Sequence, residues 1–177
     1  MPVVLTLLIF QSLSFAAKTN SYDGWTTDDY EQYIIDLSTF GTNMIELIPW
    51  KTDDVAYSPM FTATPQTMLA NVSAITDKYG VQCGLWYPLM EKDYSDPASV
   101  KAARVEWAQV FGLLRRLDHV QIPAGDPGSK PPAALLLAAK LFAKDLKKAF
   151  PKAVLWIGPQ VRAALGLADG RRSCARA

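Results

Sequence analysis

Two carboxylates of the sequence lie where acid–base chemistry would be placed in a protein built from parallel strands. Asp126 lies in the turn at residues 125–128, whose two glycines would let a ligand approach the backbone closely. Glu46 lies inside the apolar segment at residues 43–49, where an unpaired carboxylate is costly and must gain a partner or a raised pKa. We therefore take Asp126 and Glu46 as candidate catalytic residues. A turn-forming role for Asp126 and a structural ion pair for Glu46 are the alternatives.

Aromatic and polar residues cluster at the ends of the same apolar segments. Aromatic faces stack on sugar rings, although aromatic residues at the rim of a barrel are also common as packing. Loop carboxylates such as Asp93 are most simply explained as solvated charges. With these alternatives open, the candidate substrate-binding residues are Trp86, Tyr87, Asp93, Tyr94, Gly125 and Gln160.

The composition excludes several classes of site. The chain has 18 basic and 17 acidic residues, and a net charge of +1 does not favour binding to nucleic acid. A single histidine, His119, rules out metal centres built from several imidazoles, and Cys83 and Cys174 lack metal-ligand spacing. No glycine-rich phosphate loop and no serine nucleophile elbow occurs. We therefore predict neither a metal nor a cofactor.

The elements that must position these residues alternate along the chain. Amphipathic helices are predicted from Thr26, Pro65, Asp96 and Pro131, each with a capping residue or an early proline. Short apolar strands follow them, at residues 43–49, 81–87, 119–123 and 153–158. This alternation predicts an α/β fold with parallel strands, and both a doubly wound sheet and a barrel fit it. We expect about four units of a (β/α)8 TIM-like barrel, with strands adjacent in sequence order and helices on one side.

The ends of the chain differ from this pattern. Residues 1–17 form an apolar segment that fits either a secretory signal or a first strand, so secretion depends on that choice. The apolar run is too short to span a membrane as a helix. Residues 18–160 form the partial barrel domain, and residues 161–177 form an irregular tail. The glycosylation sequon at Asn71 falls within a predicted helix, where such a match usually arises by chance.

Several motifs between Lys18 and Gln160 together resemble the barrel domain of family 20 and family 67 glycoside hydrolases. These families contain β-N-acetylhexosaminidase-like and α-glucuronidase-like proteins. The resemblance implies a barrel, a carbohydrate substrate and hydrolysis without a cofactor. In the hexosaminidases an Asp-Glu pair ends the fourth strand, whereas here Asp126 is followed by Pro127, so the general acid is not assigned. The motifs that carry the resemblance are residues 18–23, 41–49, 86–88, 92–97, 125–128 and 156–160.

These observations predict a glycoside hydrolase-like protein that acts on or binds an amino-sugar or uronic-acid glycoside. A non-catalytic sugar-binding fragment, or a relic of a barrel hydrolase, is the alternative. We expect Asp126 to face a cavity bounded by Trp86, Tyr87 and Asp93, because all four follow or end strands at the same rim. A partial barrel also leaves strand edges unpaired, which predicts self-association.

Overall fold

The structure is a computed structural model that describes residues 6–9, 24–47, 62–124 and 130–158. Five strands and four helices alternate through these residues. They are β1 (Thr6–Ile9), α1 (Thr27–Thr39), β2 (Met44–Leu47), α2 (Pro65–Lys78), β3 (Gln82–Trp86), α3 (Pro97–Leu113), β4 (His119–Pro123), α4 (Pro132–Ala149) and β5 (Val154–Gly158).

Local sequence signals account for where the helices begin. The Thr26 side chain accepts a hydrogen bond from the Asp29 backbone N–H, and the Asp29 carboxylate accepts one from the Thr26 N–H. Asp96 accepts hydrogen bonds from the backbone N–H groups of Ala98 and Ser99, directly before the proline that opens α3. These caps satisfy N–H groups that a helix leaves free at its first turn.

The glycosylation sequon lies in the middle of α2. The Asn71 side chain donates a hydrogen bond to the Thr27 hydroxyl at 2.9 Å, and Ser73 is buried. Helical backbone and a buried Ser73 make this sequon a poor acceptor, which agrees with its interpretation as a chance match.

The strands form one parallel sheet in the order β1-β2-β3-β4-β5. This order is the sequence order, as the short connections predict. β1 lies within the apolar segment for which the sequence left a signal peptide and a first strand both open. Each helix packs beside the next along the chain, on one face of the sheet. The fold is therefore α/β, with parallel strands arranged as in part of a TIM-like barrel.

One face of the sheet makes the hydrophobic core with the four helices. Alternate residues of each strand point to this face, because side chains alternate along a strand. They pack against buried helix side chains that include Ile34, Trp107 and Phe142. The strand residues on this helix-covered face are Ile45, Leu47, Cys83, Leu85, Val120 and Ile122. Burial raises the pKa of the Cys83 thiol to about 12, so this cysteine acts as a core residue and not as a nucleophile.

Within the described part of the chain, no helix combines the length and apolar character that a membrane-spanning segment needs.

β5 is an edge strand of the described sheet and carries exposed apolar side chains. The Val154 N–H donates to the Asp118 carbonyl, and the Gly158 carbonyl accepts from the Ala124 N–H. In a parallel ladder alternate residues bond to the same neighbour, so the backbone groups of Leu155 and Ile157 face away from β4. The exposed fractions of Val154, Trp156 and Ile157 are 49%, 46% and 38%. An apolar edge of this kind pairs readily with another strand.

We predict that the chain self-associates through β5 and that the Ile157→Lys substitution weakens this association. A charge on the free edge opposes strand pairing, whereas it leaves the bonds between β4 and β5 in place. Sedimentation velocity over a range of concentrations measures the effect. Leu136→Lys, at a 52% exposed position on α4, is the matched control and should associate as the parent does. A parent chain that stays monomeric at all concentrations, or equal association of the parent and Ile157→Lys, contradicts the prediction.

Candidate functional site

The face of the sheet opposite the helices, here called the inner face, carries the polar strand residues. The register places Glu46 beside Gly84, and Gly84 beside His119. Because all three alternate with core residues, they point to the inner face. A second row, closer to the carboxyl ends of the strands, contains Trp86, Gln121 and Trp156. In parallel α/β folds ligands bind at this end of the strands.

Glu46 is buried on the inner face without a counter-charge. Its exposed fraction is 2%, and its Oε1 atom has no hydrogen-bond partner in the described structure. No lysine or arginine among the described residues forms an ion pair with it. Burial therefore raises the pKa of Glu46 from 4.5 to about 7. Of the two outcomes that the sequence allowed for this carboxylate, the structure shows the raised pKa.

His119 is the second buried polar residue of the row. Its exposed fraction is 3%, and its Nε2 atom also lacks a hydrogen-bond partner in the described structure. Burial lowers the pKa of the imidazole, and the Asp118 carboxylate partly opposes that shift. The Trp156 ring stacks on the imidazole with the ring centroids 4.6 Å apart. These surroundings favour a neutral imidazole, which can accept or donate a hydrogen bond.

Gly84 provides the space in which the His119 side chain lies. A Cβ atom placed on Gly84 would come within 2.0 Å of His119 Nε2, a distance that no folded protein accommodates. The imidazole of His119 therefore lies over the backbone of β3 at Gly84. It extends from β4 in the direction of β2, the strand that carries Glu46. Glycine inside a strand often marks such a close approach.

Sequence reasoning used His119 only to exclude metal centres and missed its place in the site. The signal that finds it is the alternation of strand side chains combined with the parallel register. Counted from buried Val120, His119 falls on the inner face, and the pairing with Gly84 then brings it near Glu46. Neither step follows from motif spacing alone.

Trp86 lies on the inner face and is partly exposed. Its row partner Gln121 extends over β5, because a Cβ atom on Gly158 would be 2.8 Å from the Gln121 amide nitrogen. Trp86 thus lies on the same side of the sheet as Glu46. Its contact with a sugar stays a prediction.

The expectation that Tyr87 faces the same cavity as Trp86 is wrong. Side chains of consecutive residues in extended backbone point to opposite sides, so Tyr87 turns toward the helices. Its exposed fraction is 2%, its ring centroid is 5.4 Å from that of Phe142, and its hydroxyl donates to the Glu106 carboxylate on α3. Tyr87 is a core residue.

Tyr94 and Asp93 likewise do not join the inner face. Tyr94 is buried and stacks on Trp107 of α3, with the ring centroids 6.2 Å apart. Asp93 is exposed, and its Oδ1 atom accepts hydrogen bonds of 2.7 Å from the Ser95 backbone N–H and hydroxyl. The loop after β3 packs its aromatic residue on the helices, and its carboxylate forms a turn. The expected grouping of Trp86, Tyr87 and Asp93 around one cavity is therefore wrong for Tyr87, and the role of Asp93 stays a prediction.

Asp126, Gly125 and Gln160 lie outside the described residues, so their roles stay predictions from the sequence. In the described part of the chain, no group of three or more His, Cys, Asp or Glu side chains is placed to hold a metal ion.

Comparison with known proteins supports the fold. No protein-family profile and no curated protein matches the sequence. Among solved structures, a candidate alpha-L-fucosidase from Bacteroides ovatus matches with a TM-score of 0.53 and 16% identity, covering 86% of this chain and 30% of that one. The family 20 beta-N-acetylhexosaminidase from Streptomyces coelicolor matches with a TM-score of 0.50 and 8% identity, covering 75% and 36%. The chain thus shares a partial TIM-barrel-like fold with these two structures and spans about a third of their length.

The raised pKa of Glu46 predicts a pH-dependent stability that Glu46→Gln removes. Between pH 4.5 and about 7 the folded chain keeps the Glu46 proton and the unfolded chain releases it. The free energy of unfolding therefore falls as pH rises through this window, by on the order of 3 kcal/mol for this group. The lowered pKa of His119 acts in the opposite direction as its unfolded form loses its proton, so the parent's own pH slope is partly cancelled.

The measurement is urea unfolding of the parent and Glu46→Gln at several pH values from 4.5 to 7.5. The difference between the two proteins isolates the Glu46 contribution, and the parent should lose stability relative to the variant as pH rises. Asp28→Asn, at an exposed position on α1, is the control and should follow the parent. A parent–variant difference that does not change with pH would show that Glu46 titrates normally in the folded chain.

Proposed function

We propose that the inner face of this sheet binds a glycoside, and that the chain acts on an amino-sugar or uronic-acid linkage as part of a glycoside hydrolase-like barrel. The observation that carries the proposal is Glu46, a buried carboxyl group on the inner face whose pKa is raised to about 7. The glycoside hydrolase-like fold and the names of the matched structures support the same substrate class.

Glu46 has the properties of a general acid. Cleavage of a glycosidic bond needs a proton on the leaving oxygen, and a carboxyl group with a pKa near 7 keeps that proton in about half of the molecules at neutral pH. Hydrolysis normally needs a second carboxylate across the scissile bond. Asp126 is the proposed second group, since it follows β4 and the carboxyl ends of parallel strands share one edge of the sheet.

The surroundings of the carboxyl suit a sugar ring. Trp86 presents a partly exposed aromatic side chain on the inner face, and sugar rings stack on such surfaces. Gln121, in the same row, offers an amide that can both donate and accept hydrogen bonds. An apolar platform with a few polar groups is the usual composition of a small-ligand site.

Sugar binding without catalysis is the second candidate function. The described strands contain one carboxyl group on the inner face, Glu46, whereas hydrolysis uses two. The chain also spans about a third of the matched structures, whose remaining strands would supply further groups. Binding in the absence of hydrolysis is the result that favours this candidate.

We predict that Glu46→Gln lowers the rate of glycoside hydrolysis by a factor of roughly 100 to 10,000, because that is the usual contribution of a general acid. The assay uses nitrophenyl glycosides of N-acetylglucosamine, glucuronic acid and fucose. Nitrophenolate needs little protonation on leaving, so the methyl glycosides are assayed alongside and should show the larger loss. Asp28→Asn controls for nonspecific effects of charge removal, and circular dichroism verifies folding. Equal rates for the parent and Glu46→Gln would remove Glu46 from the mechanism.

We also predict that Asp126→Asn weakens binding of an amino sugar or a uronate without unfolding the chain. The substitution keeps the shape of the side chain and removes its charge. Isothermal titration calorimetry of both proteins against the same sugars measures the difference. Equal binding by both proteins ends the assignment of Asp126, and no binding by the parent to any sugar overturns the proposed function.

A further inference from the structure

Two buried polar atoms on the inner face lack partners, and they flank the same glycine. Glu46 Oε1 and His119 Nε2 have no hydrogen-bond partner in the described structure, although both side chains are at least 97% buried. Most buried polar groups in proteins are hydrogen-bonded, so two neighbouring exceptions need an explanation. A ligand that supplies the missing bonds is one such explanation.

Glu46 and His119 lie on opposite sides of the Gly84 backbone. Glu46 and His119 stand on the strands either side of β3, at the level of Gly84, and adjacent strands are about 4.8 Å apart. The imidazole reaches over Gly84, and yet Nε2 and Oε1 do not bond to each other. The Trp156 ring stacks on the imidazole of His119 and fixes the orientation of its plane. The two atoms thus lie on the same face of the sheet and do not bond to each other.

We propose that Glu46 and His119 form a subsite that binds two adjacent hydroxyl groups of an uncharged sugar ring and disfavours uronates. This inference rests on the proposed sugar-binding function and deepens it, because it selects among the substrate classes. A hydroxyl group both donates and accepts a hydrogen bond, so a pair of hydroxyls satisfies an imidazole nitrogen and a carboxyl oxygen whichever of them carries the proton.

The charge distribution around the subsite carries the selection against uronates. The described strands contain no lysine or arginine, so no cation on their inner-face positions could compensate a second carboxylate. Among the described basic residues, Arg116 pairs with Asp118 at 2.6 Å, and Lys130 donates to the Glu91 carbonyl. Above pH 7, where Glu46 is ionised, a uronate would be buried beside a second carboxylate with no counter-ion on the described strands, which is unfavourable for both carboxylates.

The single histidine of the chain makes a direct test practicable. The protein is labelled with ¹³C-histidine, so one Cε1–H signal reports on His119 without assignment. Methyl glycosides of N-acetylglucosamine and of glucuronic acid are titrated in parallel at pH 8, where Glu46 is ionised, and calorimetry records binding anywhere on the chain. We expect a saturable shift of the His119 signal with the uncharged sugar, and at least tenfold weaker binding of the glucuronide.

The outcomes separate this inference from the proposed function. Calorimetric binding without a shift of the His119 signal overturns the subsite and leaves sugar binding intact. Binding of the glucuronide as tightly as the uncharged sugar overturns the selection against uronates. If no glycoside produces heat, the proposed function fails, and the subsite fails with it; a water molecule bridging the two side chains would then explain them.

Variants test the two residues separately. His119→Ala should lower the affinity for the uncharged sugar at least tenfold, whereas Gln82→Ala, at an exposed inner-face position earlier on β3, should leave it unchanged. Glu46→Gln keeps a hydrogen-bonding group and removes the charge. The variant should therefore bind the uncharged sugar with the affinity of the parent and bind the glucuronide more tightly than the parent does. Unchanged discrimination by Glu46→Gln contradicts the electrostatic argument. Normal binding of the uncharged sugar by the His119→Ala variant would contradict the proposed contact between His119 and the sugar.

Discussion

The fold depends on one constraint: the helices cover a single face of a parallel sheet. Each strand must then present apolar side chains to that face, and alternation sends the intervening side chains to the other. Ile45 and Leu47 pack on helices, so Glu46 between them cannot. On β4, Val120 and Ile122 pack on the helices, so the alternating residues His119 and Gln121 point to the inner face. The composition of the inner face is therefore decided by the packing of the outer one.

The sequence predicts the elements well because their ends carry local signals. Thr26 and Asp96 cap the helices that they precede, and the strands at residues 119–123 and 153–158 agree with His119–Pro123 and Val154–Gly158 within a residue. The order of the strands follows from short connections. The face that each side chain occupies is less accessible, since a continuously apolar strand gives no alternation from which to read it. Tyr87 was misplaced for this reason.

The candidate site shows the same division between local and long-range information. Glu46 stands out in the sequence because a charged residue interrupts an apolar segment, which is a local property. His119 has no such signal, and its importance arises only when the register brings it across Gly84 toward Glu46. Pairing between strands about 35 residues apart is not encoded in any short motif. The buried position of Tyr94 likewise depends on how the loop after β3 packs against α3.

Polar groups near the start of β4 are paired, whereas Glu46 Oε1 and His119 Nε2 on the inner face have no partner among the described residues, and neither does Thr42 Oγ1 before β2. Near that start, Asp118 accepts from the Cys83 backbone N–H at 2.8 Å and from Arg116, and the Ser73 hydroxyl bonds the Arg116 backbone in both directions. These partly buried groups are thus paired within the chain. Leaving Glu46 and His119 without partners costs stability, on the order of 1–3 kcal/mol for each group. Local rules are broken in this way mainly where a protein binds or transforms a ligand, because the missing partner is then the ligand itself.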